Sequence, residues 1–449
     1  MTHEEFARKL AQRAHKKGAD QAEAWLESTR ESSVRVRDGE VEDLTQATSK
    51  GVGLRVIRER RLGFTYTSEF DPTRIDELVD RALAAARIAA PDRSNGLPAS
   101  RDLADRNRSE SLDLFDPQVA ELPGEWLVEA SRAAEKAARG LDPRVKVLES
   151  VGAGNGVSEV FFCTSEGVSD RFRSSSIYVW AAPVASDGEQ LQTGHWLDNK
   201  RFLSDLEAPE AIGKRAAQRA VRMLGARKVK TCRVPVVLDP FMAASFIGGL
   251  AGAVNGDMVF KKASFLADKL GKRIAPESVT VIDDGRMARG LGTSPFDGEG
   301  VPTRRTPVVE RGVLGAFLYD CATARKARAR TTGNAARSYA SLPGIGLNNF
   351  HLCAGTPTPQ EILAPIRQGF YVTAMLGRGA NPVTGEYSRG ANGLWIVDGE
   401  LAYPVQEVTV AGNLLEMLQT IDAVGNDLEF RGSVAAPTLR LAEAMVSGA

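Results

Sequence analysis

Four copies of the tripeptide Asp-Gly-Glu, which begin at residues 38, 187, 297 and 398, constrain the fold of this chain more than any other feature. Around two of them, short runs of alternating apolar and polar residues stand on both sides, over 34–44 and over 394–405. Asp-Gly readily adopts the positive φ angles that a two-residue hairpin turn requires. The pattern therefore predicts antiparallel hairpins that turn at Asp38-Gly39 and at Asp398-Gly399.

Helices are predicted between groups of strands. The first begins at Thr2, where Thr2 and Glu5 have the spacing of a capping box. Apolar residues at helical spacing indicate others over 73–89, in the 20 or so residues that end at Arg139, over 208–224 and over 412–421. Helices grouped between antiparallel strands are typical of the α+β class.

The expected organisation is two domains. We predict an N-terminal domain over 1–225 that mixes helices with antiparallel strands, and a strand-rich antiparallel domain over 226–449 with few helices. Residues 91–117 are polar and rich in Pro, Ser and Asp, which predicts an exposed connection inside the first domain.

Composition excludes several classes of function. Basic and acidic residues number 57 each, so no overall charge favours nucleic acid or an acidic membrane. The first ten residues are polar and amphipathic, unlike a signal peptide, and no apolar run reaches the roughly 18 residues of a membrane span. The four cysteines form no Cys-x-x-Cys motif, which favours free thiols in a reducing compartment. The sequence therefore predicts a cytoplasmic protein that binds neither nucleic acid nor membrane.

The histidines do not predict a metal site. Peptidase zinc sites require imidazoles and carboxylates that converge on one ion, and the four histidines (His3, His15, His195 and His351) show no such spacing. His351 and Cys353 could share one face of a strand, but two ligands do not complete a site, and we favour ordinary packing. No nucleophile elbow or phosphate-binding loop is present in the sequence either.

Two carboxylate pairs remain, Asp283-Asp284 and Asp297-x-Glu299. Paired acids can bind a hard cation or act as acid and base. The alternative, which we favour, is that they form turns and pair with Arg286, Arg304 or Arg305. The basic run over 325–330 is interpreted as a solvated face or a contact to substrate carboxylates.

Several ordered blocks resemble the TldD/TldE (PmbA) family. The segment 236–270 is predicted as strand, turn, helix, loop and helix, which is the order expected around the zinc helix of that family. Eight further blocks are similar to family motifs, namely residues 264–271, 281–285, 296–304, 332–335, 381–389, 404–407, 411–414 and 424–427.

The resemblance also implies that metal ligands are missing. In the TldD branch the helix carries His-Glu-x-x-x-His before a Gly-Asp pair. Counted back from Gly256-Asp257, those positions hold Ile247, Gly248 and Gly252. TldD-type chains also carry a cysteine-bearing loop after the Gly-Asn-Asp motif, whereas residues 428–441 contain no cysteine. The resemblance implies a TldE/PmbA-type subunit without a cofactor of its own, with zinc expected in a TldD-like partner.

Family knowledge then implies a function. The expected assembly is a TldD–TldE heterodimer that acts as a zinc metalloprotease on unfolded peptides, with roles in peptide processing and antitoxin turnover; the family label "modulator of DNA gyrase" implies only an indirect effect. Extended substrate would add to Gly- and Thr-rich strand ends, for which the predicted residues are Thr332, Gly333, Asn334, Thr384, Gly385, Ser388 and Arg389.

Two alternatives stay open. One is a homodimeric hydrolase that uses Asp283, Asp284, Asp297 or Glu299. The other is a peptide-binding regulatory protein without catalysis.

Overall fold

One antiparallel sheet of seven strands forms the centre of the N-terminal half. The structure is a computed structural model that describes residues 1–103 and 111–448. The strands are β1 (Gln21–Arg37), β2 (Glu40–Arg58), β3 (Arg61–Thr67), β4 (Val145–Thr164), β5 (Ser169–Ser186), β6 (Leu191–Thr193) and β7 (Trp196–Lys200). Their order is β3-β2-β1-β4-β5-β6, and β7 also pairs with β5.

Turn chemistry fixes the first hairpin as predicted. β1 and β2 are joined at Asp38 and Gly39, whose φ angles are 53° and 79°. The sequence predicts two separate strands, near 145–151 and over 157–164, but the structure has the single strand β4. Its central glycines at 152, 154 and 156 stay extended because β1 and β5 pair with them from both sides.

Helices cover one face of this sheet. They are α1 (His3–Lys16), α2 (Ile75–Ile88), α3 (Pro117–Ala120), α4 (Gly124–Leu141) and α5 (Pro209–Val221). The predicted capping box at the start of α1 is present, because the side chains of Thr2 and Glu5 each accept from the backbone amide of the other residue. Apolar residues of α1 and α2 pack on one end of the sheet, and those of α4 and α5 pack on the other. No helix of the described residues is long and apolar enough to cross a membrane.

The C-terminal half contains shorter elements. Its strands are β8 (Cys232–Leu238), β9 (Val281–Asp284), β10 (Arg305–Glu310), β11 (Val313–Leu314), β12 (Ala335–Ala336), β13 (Gly344–Ile345), β14 (Asn349–Leu352), β15 (Gln368–Leu376), β16 (Glu386–Val397), β17 (Glu400–Asn413), β18 (Ile421–Val424), β19 (Val434–Ala435) and β20 (Leu439–Ser447). Its helices are α6 (Pro240–Gly248), α7 (Leu250–Ala253), α8 (Gly256–Phe260), α9 (Cys321–Ala327), α10 (Pro359–Leu363) and α11 (Leu414–Gln419).

Two main sheets build this half. In one, β8, β15, β16, β17 and β20 close into a ring, because β17 pairs with β20 as well as with β16. The other has the order β11-β10-β9-β14-β19, so β19 lies at its edge. A large apolar core joins the two sheets to α6, α7 and α11. The mixture of antiparallel sheets and helices confirms the predicted α+β class.

The predicted helix after Gly256 is shorter than expected. α8 ends at Phe260, and the chain continues in turns to Leu270. Lys262 has a φ of 56°, a left-handed conformation that ends the helix.

The connection over 91–117 is less exposed than predicted. Of its described parts, 91–103 and 111–117, the residues Ser94, Leu97, Leu112, Leu114 and Asp116 are buried. Arg325 of α9 donates hydrogen bonds to the carbonyls of Ser94, Gly96 and Leu97, which holds this segment against the C-terminal half. The polar composition of this segment predicts exposure. The prediction is wrong for these residues because their hydrogen-bond donor, Arg325, lies more than 200 residues away in the sequence. Residues 104–110 lie outside the described residues.

Candidate functional site

The candidate site begins with the turn from β8 into α6. Asp239 caps this helix, since its Oδ1 accepts a hydrogen bond from the amide of Met242 at 2.9 Å, and Pro240 occupies the first helical position. The other oxygen of Asp239 lies 2.8 Å from Arg219 of α5. Burial raises the pKa of Asp239 and the charge of Arg219 opposes that rise. Asp239 therefore caps α6 and, through its ion pair with Arg219, holds this helix against the N-terminal half.

The three positions at which the resemblance expects zinc ligands lie in different surroundings. Ile247 is fully buried in the C-terminal core. A Cβ atom at Gly252 would lie 2.9 Å from Cβ of Pro382. A Cβ atom at Gly248 would have one neighbour within 4 Å among the described residues, Cγ1 of Val434 at 3.6 Å. Of the three positions, Gly248 is therefore the one that opens onto free space.

That space is a groove between α6 and residues 429–435. Its volume is about 440 Å³. The lining residues are Leu197, Pro240, Phe241, Ala244, Ser245, Gly248, Glu429, Arg431, Gly432, Val434 and Ala435. The tertiary structure thus brings together the two segments, the helix and the stretch after Asp427, from which the resemblance expects zinc ligands in TldD-type chains. We call this space the α6 groove.

The walls of the α6 groove are mostly apolar, and its two charged residues, Glu429 and Arg431, pair with each other. The guanidinium of Arg431 lies 4.5 Å from the ring centroid of Trp196 and 5.7 Å from that of Phe241. Arg431 also contacts the carboxylate of Glu429. Arg389, which does not line the groove, donates a hydrogen bond at 2.6 Å to Oγ of the lining residue Ser245. Each cation is therefore held by a partner within the protein.

These residues do not fit a zinc ion. Glu429 is the one acidic residue among those that line the groove, and the lining contains no histidine or cysteine. Across residues 1–103 and 111–448, no three His, Cys, Asp or Glu side chains are close enough to hold a metal together. Tetrahedral zinc needs three or four such donors. We therefore derive no chemical step that uses a metal in this chain.

A second cavity of about 250 Å³ adjoins the groove and shares Leu197 and Phe241 with it. Residues of the N-terminal half, which include His195, Arg219 and Met223, form one side of this cavity. Desolvation and the nearby charge of Arg219 lower the pKa of His195, so the neutral imidazole is favoured. The site therefore extends to the junction of the two halves.

The first predicted carboxylate pair is held by internal partners. Asp283 is fully buried and accepts hydrogen bonds from the Asn348 amide at 2.8 Å, from the Asn348 side chain at 2.9 Å and from the Asn334 side chain at 2.6 Å. Desolvation raises its pKa, and these donors oppose the rise. Asp284 accepts from the amide of Arg286 and lies 4.0 Å from Arg305. The turn and ion-pair interpretation agrees with the contacts of Asp284. Asp283 instead accepts from two asparagines, which the interpretation does not name.

The second pair also supports the fold. Asp297 accepts hydrogen bonds from the amides of Glu299, Val301 and Ala335, while burial and the Glu299 charge raise its pKa to about 8. Glu299 lies 3.2 Å from Arg55 and accepts from the amide of Cys321. Sequence reasoning, which names Arg286, Arg304 and Arg305 as partners, misses Arg55 because it lies 244 residues away.

A buried ion network continues from Arg55 into the N-terminal sheet. Arg55 of β2 donates two hydrogen bonds to Glu23 of β1, at 2.9 and 2.8 Å. Glu23 also accepts from Arg337 of the C-terminal half at 2.5 Å. The side chains of Glu23, Arg55 and Glu299 are at most 5% exposed. The network therefore joins the two halves away from solvent.

The seven predicted substrate residues fall into two groups. Thr332 accepts a hydrogen bond from the Tyr319 amide, and the Asn334 side chain donates one to Asp283. Between them, Gly333 lies against Pro302 and adopts a φ of 72°. Thr384 and Gly385 form the turn before β16, while Ser388 and Arg389 lie in the β16–β17 ladder. Of the seven, Arg389 reaches a residue of the α6 groove. A substrate role for these residues stays a prediction.

His351 and the basic run have structural contacts. His351 is buried, its Nδ1 lies 3.0 Å from the Asn349 carbonyl, and its ring packs against Phe430. Burial lowers its pKa. Arg325 of the basic run bonds the carbonyls of the connection described above, a role that the sequence does not predict.

Sequence reasoning also misses most of the groove lining. Phe241, Arg431 and Val434 follow no motif, and only the position of residues 429–435 directly after the Gly-Asn-Asp block points to this part of the chain.

Comparisons with known proteins find relatives over nearly the whole chain. Three sequence models match, described as PmbA/TldA metallopeptidase domain 1 over residues 22–86, its central domain over 117–224 and its C-terminal domain over 231–448. The chain is 32% identical to metalloprotease PmbA of Escherichia coli O157:H7 over 430 residues, which covers 96% of this chain and 93% of that protein. It is 30% identical to a metalloprotease of Methanothermobacter thermautotrophicus, which covers 94% of each.

Solved structures are similar over the whole chain. A Thermotoga maritima protein described as a candidate modulator of a DNA gyrase has a TM-score of 0.90 and 27% identity, and the match covers 99% of this chain and 100% of that one. TldE of Thermococcus kodakarensis has a TM-score of 0.88 at 23% identity, with the same coverage, which shows a shared fold. The sequence models place two domains within the region predicted as one, and the predicted boundary near 225 stays a prediction.

Proposed function

Because the chain belongs to the PmbA/TldD metallopeptidase family, we propose that it is the non-catalytic subunit of a two-chain zinc peptidase that acts on unfolded peptides. Its partner is a family member with the His-Glu-x-x-x-His helix, and that partner supplies the zinc. This chain contributes a wall of the peptide-binding space. Peptide processing and antitoxin turnover in the cytoplasm are the roles that fit such a complex.

One observation carries this proposal. The two segments expected to supply zinc ligands in TldD-type chains meet in the α6 groove, yet the groove presents Gly248, mostly apolar side chains and a single acidic residue, Glu429. A folded groove with an apolar lining in place of ligands suits binding rather than catalysis.

An exposed strand edge supports the need for a partner. In β2, residues 40–50 are all exposed, and β3 pairs only with residues 52–58. Within the described residues, the side of residues 40–50 that faces away from β1 therefore has no strand partner. Leu44 on this edge is 54% exposed. Free edges of this length invite pairing with another chain.

A self-sufficient hydrolase has less support. Of its four proposed carboxylates, Asp283, Asp297 and Glu299 are buried and already accept hydrogen bonds from within the protein. The fourth, Asp284, is partly buried and accepts a hydrogen bond from the amide of Arg286. A general acid or base has to reach the substrate proton. A peptide-binding regulator without catalysis differs from the proposal only in its response to a partner.

Co-expression with a zinc-bearing family member tests the proposal. We expect the two chains to co-purify in equal amounts, with zinc in the complex and cleavage of an unfolded peptide that chelation abolishes. The chain alone is expected to bind no stoichiometric zinc and to cleave nothing. Zinc with chelator-sensitive cleavage in the chain alone would overturn the proposal, and so would a complex without added activity, which would favour the regulator.

The edge strand gives a matched pair of variants for the same experiment. Leu44→Lys places a charge on the open edge of β2 and is expected to weaken co-purification. Ile88→Lys changes a side chain that is 89% exposed at the end of α2 and is expected to leave co-purification unchanged. Equal effects of the two substitutions would exclude the β2 edge as the contact surface.

A further inference from the structure

The short strand β19 presents unpaired main-chain groups beside the α6 groove. β19 pairs in parallel with β14, with Phe350 opposite Val434, and the Phe350 amide donates to the Ser433 carbonyl at 2.8 Å. Across a trans peptide the following N–H points the opposite way, and in an extended residue the N–H and C=O share one side. The N–H and C=O of Val434 therefore point away from β14.

No other strand of the described residues pairs with β19. The side to which the Val434 main chain points is thus a free edge. An extended peptide can add to such an edge through main-chain hydrogen bonds, which impose no sequence choice.

Val434 also lines the α6 groove. Val434 and Ala435 line it together with Leu197, Phe241 and Ala244, so its surface is mostly apolar. Its volume of about 440 Å³ lies in the range of pockets that hold small organic groups. Gly248 keeps this volume open, because a side chain at that position would extend from α6 into the groove.

We propose that the α6 groove is a side-chain pocket, which takes a bulky apolar residue of an extended peptide whose main chain pairs with Val434. This inference rests on the proposed function for the identity of the ligand as a peptide, and it adds a preference that main-chain pairing alone lacks. Gly248 is then the residue that determines which side chains fit.

The charged rim opposes acidic side chains at this position. Arg431 is held over Trp196 and Phe241 and is already in contact with Glu429, so the guanidinium that lines the groove has its own counter-charge. An acidic peptide residue would lose water without gaining an unpaired opposite charge from this residue. Large aliphatic and aromatic side chains are therefore preferred.

Peptide binding to the isolated full-length chain tests this proposal. Two fluorescent, terminally blocked nonapeptides differ only in their central residue, Phe or Asp, and binding is followed by fluorescence anisotropy. We expect the Phe peptide to bind about tenfold or more tightly than the Asp peptide, the effect of burying one large apolar side chain. Equal binding of the two peptides would overturn the preference.

Gly248→Leu provides the second arm. The leucine side chain would extend from α6 and occupy part of the groove, and we expect the affinity of the variant for the Phe peptide to fall about tenfold. The matched control is Gly140→Leu in α4, where a Cβ atom would meet no atom of the described residues within 4 Å, and binding is expected to stay unchanged. If Gly248→Leu binds the Phe peptide as well as the unsubstituted chain does, the groove is not the pocket.

Val434→Pro keeps the test decisive if Gly248→Leu does not fold. Proline removes an N–H that points away from β14, so the β14 ladder is retained while one peptide hydrogen bond is lost. We expect weaker binding of both peptides, and unchanged binding would contradict main-chain pairing at this edge.

Failure here is distinguishable from failure of the proposed function. Loss of the Phe preference together with intact partner-dependent cleavage would remove this inference alone. Phe-specific binding without any partner-dependent cleavage would instead remove the proposed function and leave the pocket in place.

Discussion

At the scale of single residues, buried charges hold the two halves together. Glu23, Arg55 and Glu299 exclude water and satisfy one another with charge-assisted hydrogen bonds. Such a network adds little net stability relative to an apolar core of the same shape, but removal of one member leaves a partner buried without its counter-charge. Without Arg55, Glu299 loses its ion pair, whereas Glu23 keeps Arg337. The network therefore indicates that the two halves must be in contact, and it says little about how stable the protein is.

Arg55→Met tests this interpretation. The substitution keeps an apolar chain of similar length and leaves the carboxylates of Glu23 and Glu299 without their shared cation. We expect the free energy of unfolding to fall by about 3–5 kcal/mol in urea titrations. The control Arg74→Met removes two ion pairs with exposed partners, Glu69 and Glu77, and should cost at most about 1 kcal/mol. A loss at Arg55 no larger than the loss at Arg74 would contradict the role of the network.

At the scale of elements, glycines set how closely helices approach their neighbours. A Cβ atom at Gly213 of α5 would lie 2.0 Å from the carbonyl oxygen of Ala134 in α4, whereas a Cβ atom at Gly140 of α4 would meet open space within the described residues. The close approach of α4 and α5 buries Ile212, Ala216 and Ala220 against the sheet. Packing therefore requires a glycine at position 213 inside α5, although glycine has a low helix propensity.

Alanine at each of these glycines separates packing from propensity. Gly213→Ala is expected to lower the free energy of unfolding by about 1–3 kcal/mol, because α5 has to move away from α4. Gly140→Ala is expected to raise it by about 0.4–1 kcal/mol, since only the unfolded chain loses freedom. Denaturant midpoints of both variants give the comparison. Stabilisation by Gly213→Ala would show that the helices can separate without cost.

At the scale of the whole molecule, a segment of the N-terminal half is fixed by the C-terminal half. Residues 94–97 have no regular secondary structure, yet their carbonyls accept hydrogen bonds from Arg325. Trp25 and Phe162 of the large sheet pack against Phe296 across the same junction. The α6 groove also spans the two halves, since its lining includes Leu197 as well as α6. Order in one half therefore depends on contacts with the other.

Limited proteolysis of Arg325→Met tests that dependence. Without the guanidinium, the carbonyls of residues 94–97 lose their donors, and trypsin is expected to cleave at Arg93 or Arg101 several-fold faster. The control is Arg328→Met, at an exposed residue that follows α9. We expect trypsin to cleave this variant as slowly as it cleaves the unsubstituted protein. Identical cleavage of all three proteins would show that other contacts hold the segment.

Local physics explains what could be predicted. Asp38 and Gly39 turn between β1 and β2 because Asp-Gly tolerates positive φ, and Thr2 with Glu5 begins α1 because their side chains reach the first free amides. Both the turn and the helix start depend on residues within a few positions of each other. The same reasoning fails in β4, where pairing on both sides keeps three glycines extended, and in the connection over 91–117, where distant donors bury the chain.

By itself, the sequence determined the α+β class, the turns and caps, and the scarcity of residues that could bind zinc, since each depends on residue type or near neighbours. The tertiary structure alone decided that Gly248 faces Val434 in one groove and that Arg55 meets Glu299. Those pairs are separated by more than 180 positions, and their contact is set by the packing of whole sheets and helices, which no local rule of backbone conformation or side-chain spacing encodes.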